Sequence, residues 1–378
     1  MKKTIAVLCA ISASAVLGAD WTYSSNKITD GNWTLKTSTV SSGDDVTLLR
    51  LGWTYNAKCR TEGSGELDLT KPITDANGKI YKITEIGYQA FFKDDSLVRV
   101  TLPRELQCLC TGGQAFSNCT NLLELIANCP EFVSMGNNDF QGCTKLDKMV
   151  FKAPKLAKIN QYAFQYCPLR ETSFTTDIDI TGVTEIGHGA FQQREENAGP
   201  SGRLYLPKIA KLNNQNSFTK CAQLETVEVG DKTTGLEIGG TGMFSGCTSL
   251  KKVILRGKSF SLGWSKNYFD DCPLEEVYFW GNYPKVNNWD GLNNMLNYMF
   301  KSVPAPVDNV KFCRIYTSTK SGTFPYVALN ATEKENIPAD IAGSVLGAYA
   351  PPSMGNGRCA WVVKWHSPLD GGLTLVVR

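Results

Sequence analysis

The chain has 378 residues, 42% of them hydrophobic and 20% charged, with 39 basic against 36 acidic side chains and a formal net charge of +3. That balance excludes the clustered basic surface a nucleic-acid binder needs. The length would house two average domains, unless an internal repeat overrides the rule.

The first element in chain order is a leader. Met1-Lys2-Lys3 precede an apolar run from Ile5 to Leu17 that closes on Gly18 and Ala19. This is the pattern of a cleavable signal peptide over residues 1–18, with Ala19 as the mature start. The run is shorter than the roughly 20 apolar residues a bilayer span needs. Cys9 follows Ala-Val-Leu, which departs from a lipobox, so no acyl anchor is expected, and no later stretch reads as transmembrane. Losing Lys2, Lys3 and Cys9 leaves 37 basic against 36 acidic side chains and twelve of the thirteen cysteines.

Residues 19–80 carry short β-like runs, "WTY", "ITDGNWTL", "VTLLRLGW" and "GSGELDLT", separated by Gly and Asp turns. They predict an N-terminal β cap whose "GKIYKITEIG" strand feeds the next segment.

Residues 81–281 repeat. A Phe framed by small or polar residues recurs at Phe91, Phe116, Phe140, Phe164, Phe191, Phe218, Phe244 and Phe269, in steps of 25, 24, 24, 27, 27, 26 and 25 residues. Six of the eight have Cys three positions later: Cys119, Cys143, Cys167, Cys221, Cys247 and Cys272. Each run then turns to period-two alternation, as in Leu97, Val100 and Leu102, or Leu224, Val227 and Val229, which marks a strand with one buried face. A period of 20 to 29 residues is that of leucine-rich repeats, whose coils bury their apolar edges only by stacking.

The units "ITEIGYQAFFKDDSLVRVTLP", "MGNNDFQGCTKLDKMVF" and "TEIGHGAFQQ" resemble the BspA-like (Treponema pallidum type) leucine-rich repeat, with Ile-Gly, Ala-Phe, Cys, and a strand ending in Leu-Pro. Ile86-Gly87, Ile186-Gly187, Leu102-Pro103 and Leu206-Pro207 carry the match over about residues 83 to 280. The resemblance implies a non-catalytic fold and a secreted or cell-surface protein engaged in adhesion and protein binding. The expected architecture is an α/β or mainly-β repeat, a right-handed leucine-rich-repeat solenoid of about eight coils with a β-rich N-terminal cap and an irregular C-terminal cap. Departures are local: Asp94 and Arg194 replace the Cys, Pro168 and Pro273 shorten two units, and 195–202 is an insertion.

Residues 282–378 lose the period. "NYPKVNNWDGLNNMLNYMF" and "NVKFCRIYTS" read as a degenerate last coil with a short helix, 348–358 as a linker, and "CAWVVKWHSPLDGGLTLVVR" as a hairpin turning at Pro368 to Gly372. Capping is the main expectation for this tail; a recognition or export-sorting module is the alternative.

Catalytic residues are not expected. The two histidines, His188 in a repeat turn and His366 in the tail, have no partner that sequence can assign, and no "GxSxG", "HExxH" or phosphate-cradling loop occurs. No cofactor or metal is expected either. An even cysteine count in an exported protein invites disulfides, but residues that stack on their own copies pack as small hydrophobes. The six repeat cysteines are therefore expected as buried thiols. Cys108 and Cys110 are expected to fill the core from one face of an extended segment, while Cys59, Cys129, Cys313 and Cys359 obey no repeat, with Cys313 and Cys359 the favoured disulfide pair.

In register, the outward positions of the strands form two columns. Arg99, Glu124, Lys148, Glu171, Arg203, Thr226, Lys252 and Glu276 alternate in sign and should pair within the sheet. The other column, Thr101, Ile126, Val150, Ser173, Tyr205, Glu228, Ile254 and Tyr278, predicts an exposed apolar stripe on the concave face. Ile126, Val150, Tyr205, Ile254 and Tyr278 are thus the candidate contacts for a protein or surface-glycan partner of a monomeric, adhesin-like molecule. The alternatives are a passive envelope spacer and, more remotely, an enzyme in the C-terminal region.

Overall fold

The computed structural model describes residues 20–52, 58–109, 112–212, 214–231, 233–262, 268–282, 314–317, 345–349 and 361–365. The leader, Cys110, Cys313, Cys359, His366 and the turn at 368–372 lie outside them.

The cap is built from β1 (Trp21–Ser24), β2 (Lys27–Thr29), β3 (Thr34–Ser42), β4 (Val46–Leu51), β5 (Arg60–Glu62), β6 (Gly65–Asp68), β7 (Ile73–Thr74) and β8 (Ile80–Ile86). Strands β1 to β4 pair antiparallel in succession. Alternation puts Leu49 and Leu51 of β4 inside. Trp21 and Trp33 are fully buried, and each indole N–H donates to a backbone carbonyl, Asp68 at 2.9 Å and Glu66 at 2.7 Å, so neither polar edge is left unmet. The cap does feed the array: β8 lies parallel to β4 and continues into the first coil. Strand β6 pairs parallel with β9 (Leu97–Thr101) and so supplies the long sheet with its first strand.

Beyond β9, most coils contribute a long and a short strand. The long ones are β11 (Glu124–Asn128), β12 (Lys148–Lys152), β16 (Gly202–Leu206), β18 (Leu224–Val229), β20 (Lys252–Leu262) and β21 (Glu276–Asn282). The short ones are β10 (Cys108–Leu109), β13 (Lys158–Ile159), β14 (Ile178–Asp179), β15 (Glu185–Ile186), β17 (Lys211–Leu212) and β19 (Gly235–Ile238). Pairing between successive coils is parallel throughout. Every regular element among the described residues is a strand, so the mainly-β alternative is the observed one. The tail adds β22 (Arg314–Thr317), β23 (Val345–Tyr349) and β24 (Trp361–Trp365). β22 extends the sheet from β21 and pairs with β24, which also pairs antiparallel with the upstream β23; the strand expected after the turn at 368–372 lies outside the described residues. The linker reading of 348–358 therefore begins too early, because Ala348 and Tyr349 belong to β23.

Among the described residues a single apolar cluster runs from Trp21 to Val277. Its spine is the repeat Phe: all eight rings are buried and stack one on the next, with centroids 5.0 to 5.5 Å apart. Such stacks add roughly 0.5–1.5 kcal/mol per pair beyond the burial itself. The corner carrying each Phe needs left-handed backbone two residues before it, at Gln89, Gln114, Asn138, Tyr162, Gly189, Asn216 and Gly242. At every Phe but Phe191 it needs it again two residues after, at Lys93, Asn118, Gly142, Tyr166, Lys220, Gly246 and Asp271. This is the physical content of the small-or-polar frame, since Gly and Asn tolerate positive φ best.

The six repeat cysteines are buried, unbridged thiols, as expected. Each S–H reaches back one coil to a Phe carbonyl: Cys119 to Phe91 at 3.0 Å, Cys143 to Phe116 at 3.2 Å, Cys167 to Phe140 at 2.9 Å, Cys221 to Phe191 at 3.2 Å, Cys247 to Phe218 at 3.2 Å and Cys272 to Phe244 at 3.1 Å. The thiol is thus a weak donor between coils as well as a filler. Asp94, which replaces Cys in the first unit, is 2% exposed and accepts from Arg60 Nε of the cap at 2.7 Å and from Ser96 Oγ at 2.6 Å. The substitution ties cap to array and leaves the coil intact.

Candidate recognition face

The outward face of the long sheet bears the charge column in two pieces: Arg99, Glu124 and Lys148 lie side by side, as do Arg203, Thr226, Lys252 and Glu276, while Glu171, expected between them, lies in a turn outside the strands. Glu124 is gripped by Arg99 on one side and by Lys148 at 2.9 Å on the other, and Lys252 meets Glu276 at 3.2 Å. Burial pushes the Glu124 carboxyl up, but the hydrogen bonds and charges of Lys148 and Arg99 outweigh it and hold the group below its ordinary value. Arg203 has Thr226 beside it and pairs diagonally with Glu228, which also accepts from Arg256 at 2.8 Å. The column neutralises itself.

The apolar column is less continuous than its sequence suggests. Thr101, Ile126 and Val150 adjoin, and so do Tyr205, Glu228, Ile254 and Tyr278. Only Tyr205 is well exposed, at 42%; Ile126, Val150, Ile254 and Tyr278 are half-buried. Ladder cations cover the rings: the Arg203 guanidinium lies 5.0 Å from the Tyr205 centroid and Lys252 Nζ 4.8 Å from that of Tyr278. Glu228, 4% exposed, interrupts the second group. Beside the first group, Val98 and Leu123 at the sheet margin are 37% and 48% exposed, and the column reading missed them. The signal was present, because the same position turns charged at Asp147 and Arg170.

The two groups are separated by a break in the sheet. Ser173 does not sit beside Tyr205, as the column required; it bridges Ser201. A turn then occupies 174–177, closed by the Asp177 N–H on the Ser173 carbonyl at 2.9 Å and by the Ser173 N–H on Asp177 Oδ2 at 2.8 Å. Only then does β14 rejoin β12, with Ile178 beside Phe151. The turn delivers Phe174 into the core, edge-on to Phe191 at 5.5 Å and Phe218 at 6.2 Å. Strands β14 and β16 belong to different sheets. Between them opens a cleft of about 320 Å³, lined by Lys152, Phe174, Ile178, Asp179, Arg203 and Tyr205 among others.

The other singled-out residues lie apart from this face. His188 is half-buried and meets the Tyr162 ring edge-on at 5.1 Å. Cys108 is half-buried while Leu109 beside it is buried, so alternation gives the core position to Leu109 and not to Cys108. Cys59 and Cys129 are buried thiols. Among the described residues no three His, Cys, Asp or Glu side chains come close enough to hold a metal ion, and no helix is long and apolar enough to cross a membrane.

The BspA type leucine rich repeat region matches residues 76–198 and 172–290 in six copies, more than half of the chain. No curated protein matches. Among solved structures, a leucine-rich-repeat protein of T. pallidum is 21% identical, covering 62% of this chain and 86% of its own, with a TM-score of 0.38. One from Bacteroides ovatus is 16% identical, covering 64% and 81%, with a TM-score of 0.28. A leucine rich cell surface protein from Faecalibacterium prausnitzii is also 16% identical, covering 68% and 89%, with a TM-score of 0.28.

Proposed function

Because the chain belongs to the BspA-type leucine-rich-repeat family, we propose that it is an exported, non-catalytic binding protein that holds a protein partner at the bacterial surface through the concave face of its solenoid. The observation that carries this reading is Tyr205, a large aromatic side chain 42% exposed on the outward face of a sheet whose charges are already paired. Exposed aromatics amid self-neutralised polar groups are what interface anchors consist of. The leader pattern at Met1 to Ala19 supports export. A passive spacer is the second reading, favoured by the same self-paired charges and by the half-burial of Ile126, Val150, Ile254 and Tyr278.

The test is capture of surface proteins on immobilised mature protein, comparing the wild type with Tyr205→Ala/Tyr278→Ala and with Lys252→Ala. Loss of the captured band in the tyrosine variant, with an unchanged melting curve and retention in Lys252→Ala, is the expected result. Equal capture by all three would leave the spacer reading standing.

A further inference from the structure

The break in the sheet exposes two strand edges to one another. The Gly230 N–H donates to the Leu206 carbonyl at 3.0 Å, so the peptide groups of Leu206 serve β18. Alternation in a parallel ladder turns those of Arg203 and Tyr205 the opposite way, toward β14. The Arg203 N–H is met by Thr175 Oγ1 at 2.9 Å. The Tyr205 N–H and C=O have no partner among the described residues.

The facing edge shows the same arrangement. Phe151 and Ala153 donate to the carbonyls of Asp177 and Asp179, each at 2.9 Å, so those two residues face β12 and Ile178 faces the cleft. A few residues upstream the two segments are still knit together, Ser201 N–H to the Thr172 carbonyl and Phe174 N–H to the Ser201 carbonyl, both at 2.9 Å. The strands splay from that point, and the cleft of about 320 Å³ fills the opening.

We propose that this cleft binds a short extended peptide, which adds its main chain to the edges at Tyr205 and Ile178 and rests alternate side chains on the Tyr205 ring and Phe174. Free donors and acceptors at strand spacing are the chemistry that recognises an extended backbone. Charge does not select the occupant: Arg203 is matched by Glu228, and Asp179 accepts from Thr181 Oγ1 at 2.8 Å. The volume lies at the low end of ligand pockets, about 300–1,000 Å³, which suits a few residues. The inference rests on the reading of this face as a recognition surface and adds what class of segment it takes.

The probe is a fluorescein-labelled hexapeptide pool in which threonine alternates with a randomised residue, titrated by anisotropy into the full mature chain. Saturable binding is expected, weakened about tenfold or more in Tyr205→Pro, which removes the Tyr205 N–H aimed into the cleft. Proline is tolerated on an edge whose N–H is unpaired. Tyr205→Ala, which keeps that N–H and loses the ring, should weaken binding less. Should Tyr205→Pro misfold, hydrogen exchange of the wild type decides: the pool should slow exchange over 203–206 and 176–180 and not over 124–128. Absence of saturable binding, equal losses in the two variants, or no protection at those segments overturns the proposal. Failure here with the tyrosine-dependent capture intact would remove the cleft alone, whereas loss of that capture would remove the face reading and leave this measurement as it stands.

Discussion

At the residue scale, the repeat uses cysteine where another small hydrophobe would fit, and the hydrogen bonds explain the choice. A thiol fills the corner as an apolar group and also donates to the Phe carbonyl of the preceding coil, as Cys143 does to Phe116 at 3.2 Å. Burial is the main reason the Cys143, Cys221 and Cys247 thiols are pushed well up from their ordinary value; the thiolate is the reactive form. Alkylation at pH 8 should therefore be negligible at these residues in the native protein and rapid in urea, with half-buried Cys108 labelled in both states. Native labelling of Cys143 at the Cys108 rate would contradict this. Glu124 makes a second residue-scale prediction. Its carboxyl is held below the ordinary value of about 4.3, so the stability it contributes is fully present above that pH and lost as pH falls through the folded value. Lys148 is raised, foremost by its hydrogen bond to Glu124, so its contribution is present below about 10.4 and disappears as pH rises through its folded value. Melting curves of Glu124→Gln should show a shallower acid limb than the wild type. Parallel acid limbs would mean that the pair is not coupled to folding.

At the scale of the element, most coils are a corner, a long strand and a short one, and the corner is where the side-chain energy concentrates. Phe140 is stacked on both sides, by Phe116 at 5.2 Å and Phe164 at 5.3 Å, whereas Phe269 meets Phe244 at 5.5 Å near the end of the described array. A buried Phe→Ala change costs about 3–5 kcal/mol. Phe140→Ala should fall in that range by urea unfolding and exceed Phe269→Ala; a near-neutral Phe140→Ala would break the frame. The spine was legible in the sequence because a buried residue repeated at every corner leaves a period that no surface pressure blurs. The left-handed positions on either side of it were only half legible. Asn118, Asn138, Gly142 and Gly246 announce them, but Tyr162, Tyr166 and Lys220 occupy the same positions with strained backbone. The face is harder to read, because an even strand register does not hold through the fourth unit. There the turn at 174–177, held by the Asp177 side chain, shifts Ser173 beside Ser201 and divides the column that sequence alone had drawn as one.

At the scale of the whole molecule, a stack of coils is nearly one-dimensional, so its stability is a sum of coil terms and nearest-neighbour interfaces. One interface differs from the rest. Between β14 and β16 the long sheet is interrupted, and its place is taken by the cleft. What still joins the two halves includes the spine, Phe164 on Phe191 at 5.1 Å and Phe191 on Phe218 at 5.4 Å, the edge contacts of Phe174, the parallel short strands β13, β15 and β17, and backbone bonds such as the Gly199 N–H on the Pro168 carbonyl at 2.7 Å and the Ser201 N–H on the Thr172 carbonyl at 2.9 Å. Removing the Phe191 ring takes away the central member of that joint at the point where the sheet offers least support. Phe191→Ala and Phe140→Ala should therefore cost similar amounts, about 3–5 kcal/mol each, but with different cooperativity. Hydrogen exchange in increasing urea should show residues 97–165 and 202–277 of the wild type, and of Phe140→Ala, opening in one transition. In Phe191→Ala the segment 202–277 should open at lower urea than 97–165, because the N-terminal half retains the cap through Arg60 and Asp94 and the other half has lost its neighbour. Coincident opening in Phe191→Ala would show that the remaining contacts couple the halves as strongly as an unbroken sheet does.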